Sequence, residues 1–423
     1  MKNIKRFFKT LGPGIITGAA DDDPSGIVTY TQTGARFGFG QLWVAVFSLP
    51  LMVATQELCA RIGAVTGKGI ASVIKNNYSK KLAFFVVFLL LIANTINIGA
   101  DIGAMAGAAQ LIVPVNFSLL MLIFTAVILI LEIFVSYKKY KKILMWFAVS
   151  LLAYPITLFL INADWLKILR ATFLPHIELS FGFLFIITGV IGTTISPYMF
   201  FWQSSEEVEE EKSKRMIFHG QAHVTKNFIK KLRLDNLLGM FSSQFTTWCI
   251  IVVSATVLNG NGIFNITTSA EAARALEPLV NSFPGAGMLA KIIFAIGVIG
   301  LGLLAVPVLS ASASYAVSEI FTWKEGLNLK LKKAHGFYGI ITIATIVGLL
   351  INFVGINPIQ ALVFSAVFNG IIAVPLIFVI ARIGNDEKIM GNYKSGFWSR
   401  VGIWATFGLM FFSALAMFWT LLN

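Results

Sequence analysis

Apolar residues run along this chain in long blocks, and polar residues interrupt them at nearly regular intervals. Eleven such blocks lie near 10–36, 41–61, 82–110, 115–137, 143–162, 181–205, 235–258, 286–318, 336–355, 358–381 and 399–422. Most approach the roughly twenty residues a helix needs to cross the hydrocarbon core of a bilayer. The pattern predicts an all-α polytopic membrane protein with about eleven transmembrane helices, forming one transmembrane domain over 1–423. The first block lacks the short apolar core and cleavage site of a signal peptide, so it is expected to be retained. The one long polar stretch, 206–234, reads as a solvated loop or surface helix.

Two blocks are broken near their centres. The first reads GAADDDPSGI from Gly18 to Ile27, and the sixth reads IGTTISP from Ile191 to Pro197. Aligned on the prolines, Asp23-Pro24 falls opposite Ser196-Pro197. Blocks one to five (about 10–162) and six to ten (about 181–381) form two halves with an odd number of spans each, so the halves face opposite ways. The block at 399–422 lies outside them. Paired, interrupted helices in matching places of an inverted repeat point to a binding site near the bilayer midplane.

The residues at the breaks carry the chemistry. A proline removes a donor and clashes with the preceding turn, and a glycine adds backbone freedom. Pro24 with Gly26, and Pro197 in the sixth block, are expected to unwind the helix and free carbonyls. Non-helical backbone survives at membrane depth only where protein buries it or it lines a wet cavity. Freed carbonyls beside Asp23, and beside Thr193, Thr194 and the Ser196 hydroxyl, make an oxygen-rich surrounding for a cation. Successive helical residues point about 100° apart, so Asp21, Asp22 and Asp23 do not share one role. Asp23 adjoins the proline and is assigned to the ion, while Asp21 and Asp22 line an access vestibule or bond neighbouring helices.

Other intramembrane polar groups are functional candidates by default. Asn97 and Asp101 share one face of the third block and serve either an ion or proton path or interhelical bonding. Asn369 in the tenth block is similar. Glu57 and Arg61, four apart near one end of the second block, read as a structural ion pair. His219 and His223 are also four apart, but no third ligand accompanies them. Cys59 and Cys249 sit in apolar blocks and read as packing residues.

Composition agrees with the pattern. The chain is 57% hydrophobic and 13% charged, with a mean hydropathy of +0.80, against roughly 25% charged residues in a soluble domain. The net charge of +13 suggests nucleic acid until its placement is considered. Of the 33 Lys and Arg residues, 28 fall in alternate connections: Lys2 to Lys9, Arg61 to Lys81, Lys138 to Lys142, Lys212 to Arg233, Lys324 to Lys333 and Arg382 to Arg400. That alternation is the positive-inside pattern. It puts the N-terminus in the cytoplasm and Asn423 outside, in a cell membrane. The basic balance is topology, with attraction to anionic lipid, and no nucleic-acid partner is expected.

These residues resemble the NRAMP family of divalent-metal transporters along most of the chain. LGPG (11–14) opens the first span as in that family, and DPSG (23–26) stands where it has Asp-Pro-Gly-Asn. QELCARIGAVTGKGIA (56–71) is the most specific match. GTTISPYMFFWQSS (192–205) aligns with the span-six segment around Met-Pro-His, and SASASYAVSEIFTW (310–323) with an Ala-Tyr-x-x-x-Glu stretch. The resemblance implies the inverted-repeat fold of sodium-coupled amino-acid transporters. It implies a carboxylate ligand at Asp23 and carbonyl ligands at Ala20 and Thr193. The departures are specific: the family's Asn ligand is Gly26 here, its Met ligand Ser196, its span-six His Tyr198, and its span-ten Gln aligns with Ala366. This set is similar to the NRAMP-related magnesium transporters.

Thioether sulfur favours transition metals, whereas hydroxyl, carboxylate and carbonyl oxygens favour Mg²⁺, Ca²⁺ or Mn²⁺. Mg²⁺ keeps several waters and binds through one or two carboxylates. Removing the Asn and Met side chains is expected to open volume for those waters. The chain is therefore expected to import Mg²⁺ and Mn²⁺ as cargo by alternating access, weakly or not coupled to protons. It is expected to work as a monomer without a resident cofactor and not to be an enzyme. Alternatives are a proton-coupled Mn²⁺/Fe²⁺ symporter and a sodium-coupled transporter of a small solute. An intramembrane aspartyl protease is disfavoured, because Asp101 follows Gly99-Ala100 rather than a Gly-x-Gly setting.

Overall fold

The computed structural model describes residues 13–135, 149–213, 216–218, 221–222 and 224–422. Leu11 and Gly12, the lysines at 2, 5, 9 and 138–142, Arg6, Lys214, Arg215, His219 and His223 lie outside the described residues. The main helices are α1 (Pro13–Asp21), α2 (Pro24–Phe37), α3 (Trp43–Thr66), α4 (Ile70–Asn77), α5 (Lys80–Ala109), α6 (Phe117–Phe134), α7 (Ala153–Leu160), α8 (Trp165–Phe173), α9 (Phe181–Thr194), α10 (Pro197–Ser213), α11 (Lys226–Val257), α12 (Ala286–Phe321), α13 (His335–Ile351), α14 (Pro358–Asn385) and α15 (Phe397–Leu422).

Among the described residues, nine helical segments are long and apolar enough to cross a membrane, with α9 and α10 counting as one. The two remaining predicted spans differ in kind. The first is made of two short halves, α1 and α2, and the fifth is described only as an apolar helical stretch over Val149–Leu160. The all-α expectation needs one small amendment, a two-stranded antiparallel ribbon pairing Ile217–Phe218 with Gln221–Ala222. The polar stretch 206–234 is also not a free loop. α10 extends to Ser213 and α11 begins at Lys226, so both spans project beyond their apolar parts. Glu206, Glu207 and Glu211 are buried there, a packing that their charged sequence conceals.

Close helix approach sets the position of both broken spans. An ideal Cβ on Gly18 of α1 would stand 2.4 Å from the Gly239 carbonyl oxygen of α11, and one on Gly192 of α9 would stand 2.2 Å from the Ala366 carbonyl oxygen of α14. Only glycine admits backbones this close, and without a hydrophobic drive in lipid such packing is what holds helices together. α2 and α9 both pack against α14 and against each other, so the two breaks share one long helix as a common backing.

One end of the bundle is tied by charge. Arg61 donates to both Glu57 oxygens at 3.0 Å, as the four-residue spacing predicts, and Arg233 of α11 donates to Glu57 Oε1 at 2.8 Å. Arg61 also donates to the Tyr393 carbonyl and to Ser399 Oγ. The Glu57–Arg61 pair of α3 thereby ties in α11 through Arg233, and α15 with the segment leading into it through the buried Arg61 guanidinium. Breaking such a buried pair costs about 3–5 kcal/mol. Cys59 and Cys249 are free and buried, as their apolar surroundings imply.

Candidate cation site

The first break follows from its sequence. α1 ends at Asp21, and Pro24 begins α2, leaving Asp22 and Asp23 outside both helices. Proline suits the first helical position because its missing N–H has no partner there anyway. Asp23 is the N-cap, with φ −69° and ψ 171°. Its Oδ1 accepts the Gly26 backbone N–H and the Ser25 hydroxyl, each at 2.7 Å. This is the usual way a short acidic side chain satisfies a helix start, and the helix dipole favours its charge. Gly26, expected to take part in the unwinding, instead sits inside the first turn of α2.

The second break is built to the same plan. α9 ends at Thr194, α10 begins at Pro197, and Ile195 and Ser196 lie between. The Ser196 hydroxyl donates toward the Gly192 carbonyl at 2.9 Å and the Thr193 carbonyl at 2.6 Å. The two breaks touch. Ser25 Oγ and Thr193 Oγ1 are 3.3 Å apart, Tyr30 Oη and Thr194 Oγ1 are 3.2 Å apart, and the Tyr198 hydroxyl donates to the Ala20 carbonyl at 2.9 Å. Ser312 of α12 in turn donates to the Tyr198 carbonyl at 2.7 Å.

Asp23 is 1% exposed. Its second oxygen accepts the Asn97 amide of α5 at 3.0 Å, and Asn97 Oδ1 accepts the Ser365 hydroxyl of α14 at 2.8 Å. Among the described residues no lysine or arginine pairs with Asp21, Asp22 or Asp23. All three are buried carboxylates served only by neutral donors, an arrangement that leaves negative charge for a cation to neutralise. Asp21 and Asp22 share the Ser243 hydroxyl of α11, at 2.5 and 3.2 Å, a donor that Asp23 does not use. That favours the helix-bonding alternative for the pair over a vestibule lining.

Two expected features are rearranged. A Cβ on Gly26 would lie 3.2 Å from the Tyr30 ring and 3.3 Å from Thr193 Oγ1. The space freed by the missing side chain is thus closed by Tyr30 and Thr193, not left as a wide chamber. Ala20 and Thr193 carry carbonyls at the breaks, as expected, but each already accepts a hydroxyl, from Tyr198 and Ser196. A carbonyl has two lone pairs, so each keeps one acceptor direction.

Asp101, one helical turn from Asn97, is fully buried and no side chain hydrogen-bonds its carboxylate. Asn369 is buried on α14 with its Nδ2 unpartnered, and it stands apart from the Asp23 bonds. Among the described residues no three His, Cys, Asp or Glu side chains converge as a metal cage. A cation here would be held by one carboxylate with hydroxyl, amide and carbonyl oxygens, the donor set of hard divalent ions. Sequence reasoning passed over Ser243, Ser365 and Tyr30. Single hydroxyls in apolar runs such as VFSAVF are common in membrane helices, and nothing local separates a bonding serine from a packing one.

The architecture, with two facing helix breaks clasped by continuous spans, defines a polytopic membrane protein of the inverted-repeat, broken-helix class. The chain belongs to the Nramp family, whose sequence model, described as natural resistance-associated macrophage protein-like, matches residues 14–420. It is 25% identical over 422 residues to a protein named divalent metal cation transporter MntH from Caldanaerobacter subterraneus subsp. tengcongensis, covering 99% of this chain and 94% of that one. The crystal structure of the Eremococcus coleocola manganese transporter superposes with a TM-score of 0.74 at 17% identity, covering 97% of this chain and 86% of that chain. A closed nucleobase-cation-symport-1 family transporter superposes at 0.60 and 13% identity over 97% of this chain and 92% of that chain. At these identities the two structures speak for the fold alone.

Proposed function

We propose that this chain is a divalent metal cation transporter that carries Mg²⁺ and Mn²⁺ inward by alternating access, driven by membrane voltage and not by protons. The observation that carries the reading is Asp23: a buried carboxylate at the gap between two half-helices, held only by neutral donors and facing a second gap lined by oxygen. Asp23 supplies the charge, the Ala20 and Thr193 carbonyls and the Ser196 hydroxyl supply neutral oxygens, and Pro24 and Pro197 keep both gaps open. Gly26 and Tyr198 shape the site. The name of the MntH relative supports divalent metal as the cargo class. Ser196 and Tyr198, standing where the family has Met and His, support a hard ion and independence from an imidazole proton carrier.

Voltage suffices as an energy source. A divalent ion gains about 4.6 kcal/mol per 100 mV, roughly three orders of magnitude in concentration ratio. The N-terminus would face the cytoplasm and the C-terminus the outside, with the two repeats rocking against each other. A second reading, proton-coupled Mn²⁺ or Fe²⁺ symport, draws on Asp101, a buried carboxylate beside the site with no side-chain partner.

Proteoliposomes loaded with a pH dye test both. Under an inside-negative potential, Mg²⁺ and Mn²⁺ should enter without internal acidification. Failure of Mg²⁺ to enter overturns the preference, and acidification that tracks Mn²⁺ uptake establishes the second reading instead.

A further inference from the structure

Asp23 holds three donors, and they differ in what a cation would make of them. The Gly26 N–H belongs to the helix backbone and donates only. The Ser25 hydroxyl can swing its hydrogen away and present a lone pair. The Asn97 amide carries a donor and an acceptor on opposite sides of one bond, so a half-turn exchanges them. Asn97 is fully buried, on the continuous helix α5, with Nδ2 on Asp23 Oδ2 and Oδ1 on Ser365 Oγ. The turned amide would need its Nδ2 to find an acceptor where Oδ1 now lies.

That acceptor is in place. The Ser365 hydroxyl stands 2.8 Å from Asn97 Oδ1 and also 2.8 Å from the Leu362 carbonyl one turn back in α14. It has one hydrogen and two acceptors within reach. When the hydrogen goes to Asn97, the amide shows nitrogen to Asp23. When it goes to Leu362, the Ser365 oxygen can accept Nδ2, and the amide shows oxygen to whatever lies beside Asp23. With a cation in place to take Asp23 Oδ2 and the turned Oδ1, the half-turn strands no polar group; without one, the amide donor on Asp23 holds the first arrangement.

We infer that Asn97 is a turnable ligand of the transported divalent cation, switched through Ser365: its amide bonds Asp23 when no ion is held and presents Oδ1 to the ion, directly or through its water, when one arrives. The inference rests on the Asp23 reading and deepens it by adding a ligand from α5 and a selector on α14. It makes the amide oxygen a specificity element as well. A neutral oxygen added to one carboxylate suits a hard ion that keeps part of its water. The turn links α14 to the occupancy of the site, because the Ser365 hydrogen moves onto the α14 backbone when the ion binds.

The test measures Mg²⁺ affinity by calorimetry on purified protein, with uptake into proteoliposomes alongside, for Asn97→Leu, Asn97→Asp, Ser365→Ala and the double variant Asn97→Asp with Ser365→Ala. Asn97→Leu should weaken Mg²⁺ binding about tenfold or more, at least the loss typical when an outer partner of a metal is removed. Ser365→Ala removes the acceptor for the turned amide and should weaken binding by up to about tenfold, the worth of one ordinary hydrogen bond. Asn97→Asp offers oxygen in either orientation, so it should bind Mg²⁺ at least as tightly as the parent chain, and adding Ser365→Ala to it should change little.

A residue that only positions Asp23 gives a different pattern. Asn97→Asp would then weaken binding as much as Asn97→Leu, because it loses the same donor and adds repulsion. That pattern overturns the inference, as does parental affinity in Ser365→Ala. Asp23→Asn separates the levels: if it binds Mg²⁺ normally, the site reading itself fails, whereas loss there with unaffected Asn97 variants sinks only the turnable ligand. Thermal melting of each variant identifies misfolding, and Asn97→Asp, which keeps or raises affinity if the inference holds, does not depend on it.

Discussion

At the first break the Asp23 side chain accepts every hydrogen bond it makes, from Ser25, Gly26 and Asn97. At the second, the Ser196 side chain donates, toward the Gly192 and Thr193 carbonyls. Both residues stand immediately before the proline that starts the second half-helix, at equivalent places in the two repeats. The same backbone device has therefore been given opposite polarity. One side concentrates negative charge that needs a cation or donors, and the other closes its own carbonyls with a hydroxyl. Charge comes from one repeat and adjustable neutral oxygen from the other. A binding site that must also release its ion gains from this division, because a second carboxylate would hold a divalent ion more tightly than a transport cycle tolerates.

The largest expected effect removes the charged side of the comparison. Asp23→Asn keeps a good helix cap but loses the charge. Uptake of Mg²⁺ should fall by more than about 100-fold, past the loss typical of an outer partner, while Ser196→Ala should lose less than about tenfold. Equal losses, read as initial flux in proteoliposomes, would mean that the two breaks contribute alike and would erase the asymmetry.

The next effect changes the neutral side in kind. Ser196→Met puts a thioether where the hydroxyl stands, and soft sulfur prefers transition metals. Competition of Mn²⁺ and Cd²⁺ against Mg²⁺ should shift toward the softer ions by about tenfold, close to 1.4 kcal/mol. An unchanged selectivity order would place Ser196 away from the ion and leave the second break a purely structural turn.

A smaller effect probes the space between the breaks. Gly26 lies in a helical turn, where alanine is favoured over glycine by about 0.5–1 kcal/mol, yet the new methyl would meet Tyr30 at 3.2 Å and Thr193 at 3.3 Å. Stability in Gly26→Ala should stay within about 1 kcal/mol of the parent, and Mg²⁺ uptake should fall severalfold as Tyr30 is pressed toward Thr194. Unaltered uptake with raised stability would show that the ion passes clear of Gly26.

How much of this was legible along the chain follows from the physics of each feature. The spans could be read because desolvation forces apolar runs of a fixed length, and both breaks because proline and charge are costly there. The Glu57–Arg61 pair could be read because helix geometry brings positions four apart together. The Ser243 and Ser365 partners could not, because each meets its target across more than two hundred residues of chain. Tyr30 was missed for another reason. The absence of a side chain at Gly26 is visible in sequence, but what fills the space depends on the pitch of α2, which carries the Tyr30 ring back over Gly26 one turn later. The 206–234 stretch reads as a loop or a surface helix and is largely helical, but the burial of Glu206, Glu207 and Glu211 is not legible because a charged helix extension looks solvated until its neighbours are known.

The smallest effect compares the two hydroxyls that occupy the site's carbonyls. Tyr198 donates to Ala20 at the first break, and Ser196 donates toward Thr193 and Gly192 at the second, so carbonyls at both breaks are partly occupied from the sixth span. Tyr198→Phe deletes a single buried hydrogen bond without changing ring packing, and should lower stability by about 1 kcal/mol. It also frees an Ala20 lone pair beside Asp23, so Mg²⁺ affinity should rise about twofold to fivefold while the melting temperature falls. Ser196→Ala frees the Thr193 carbonyl but also removes the hydroxyl oxygen proposed as a ligand, so on that proposal its affinity should not rise. Calorimetry and melting on the two variants read both quantities. Opposite signs in affinity would establish that Tyr198 only covers a ligand while Ser196 is one. Matching signs would make the two hydroxyls equivalent covers, and the neutral half of the site would then consist of backbone alone.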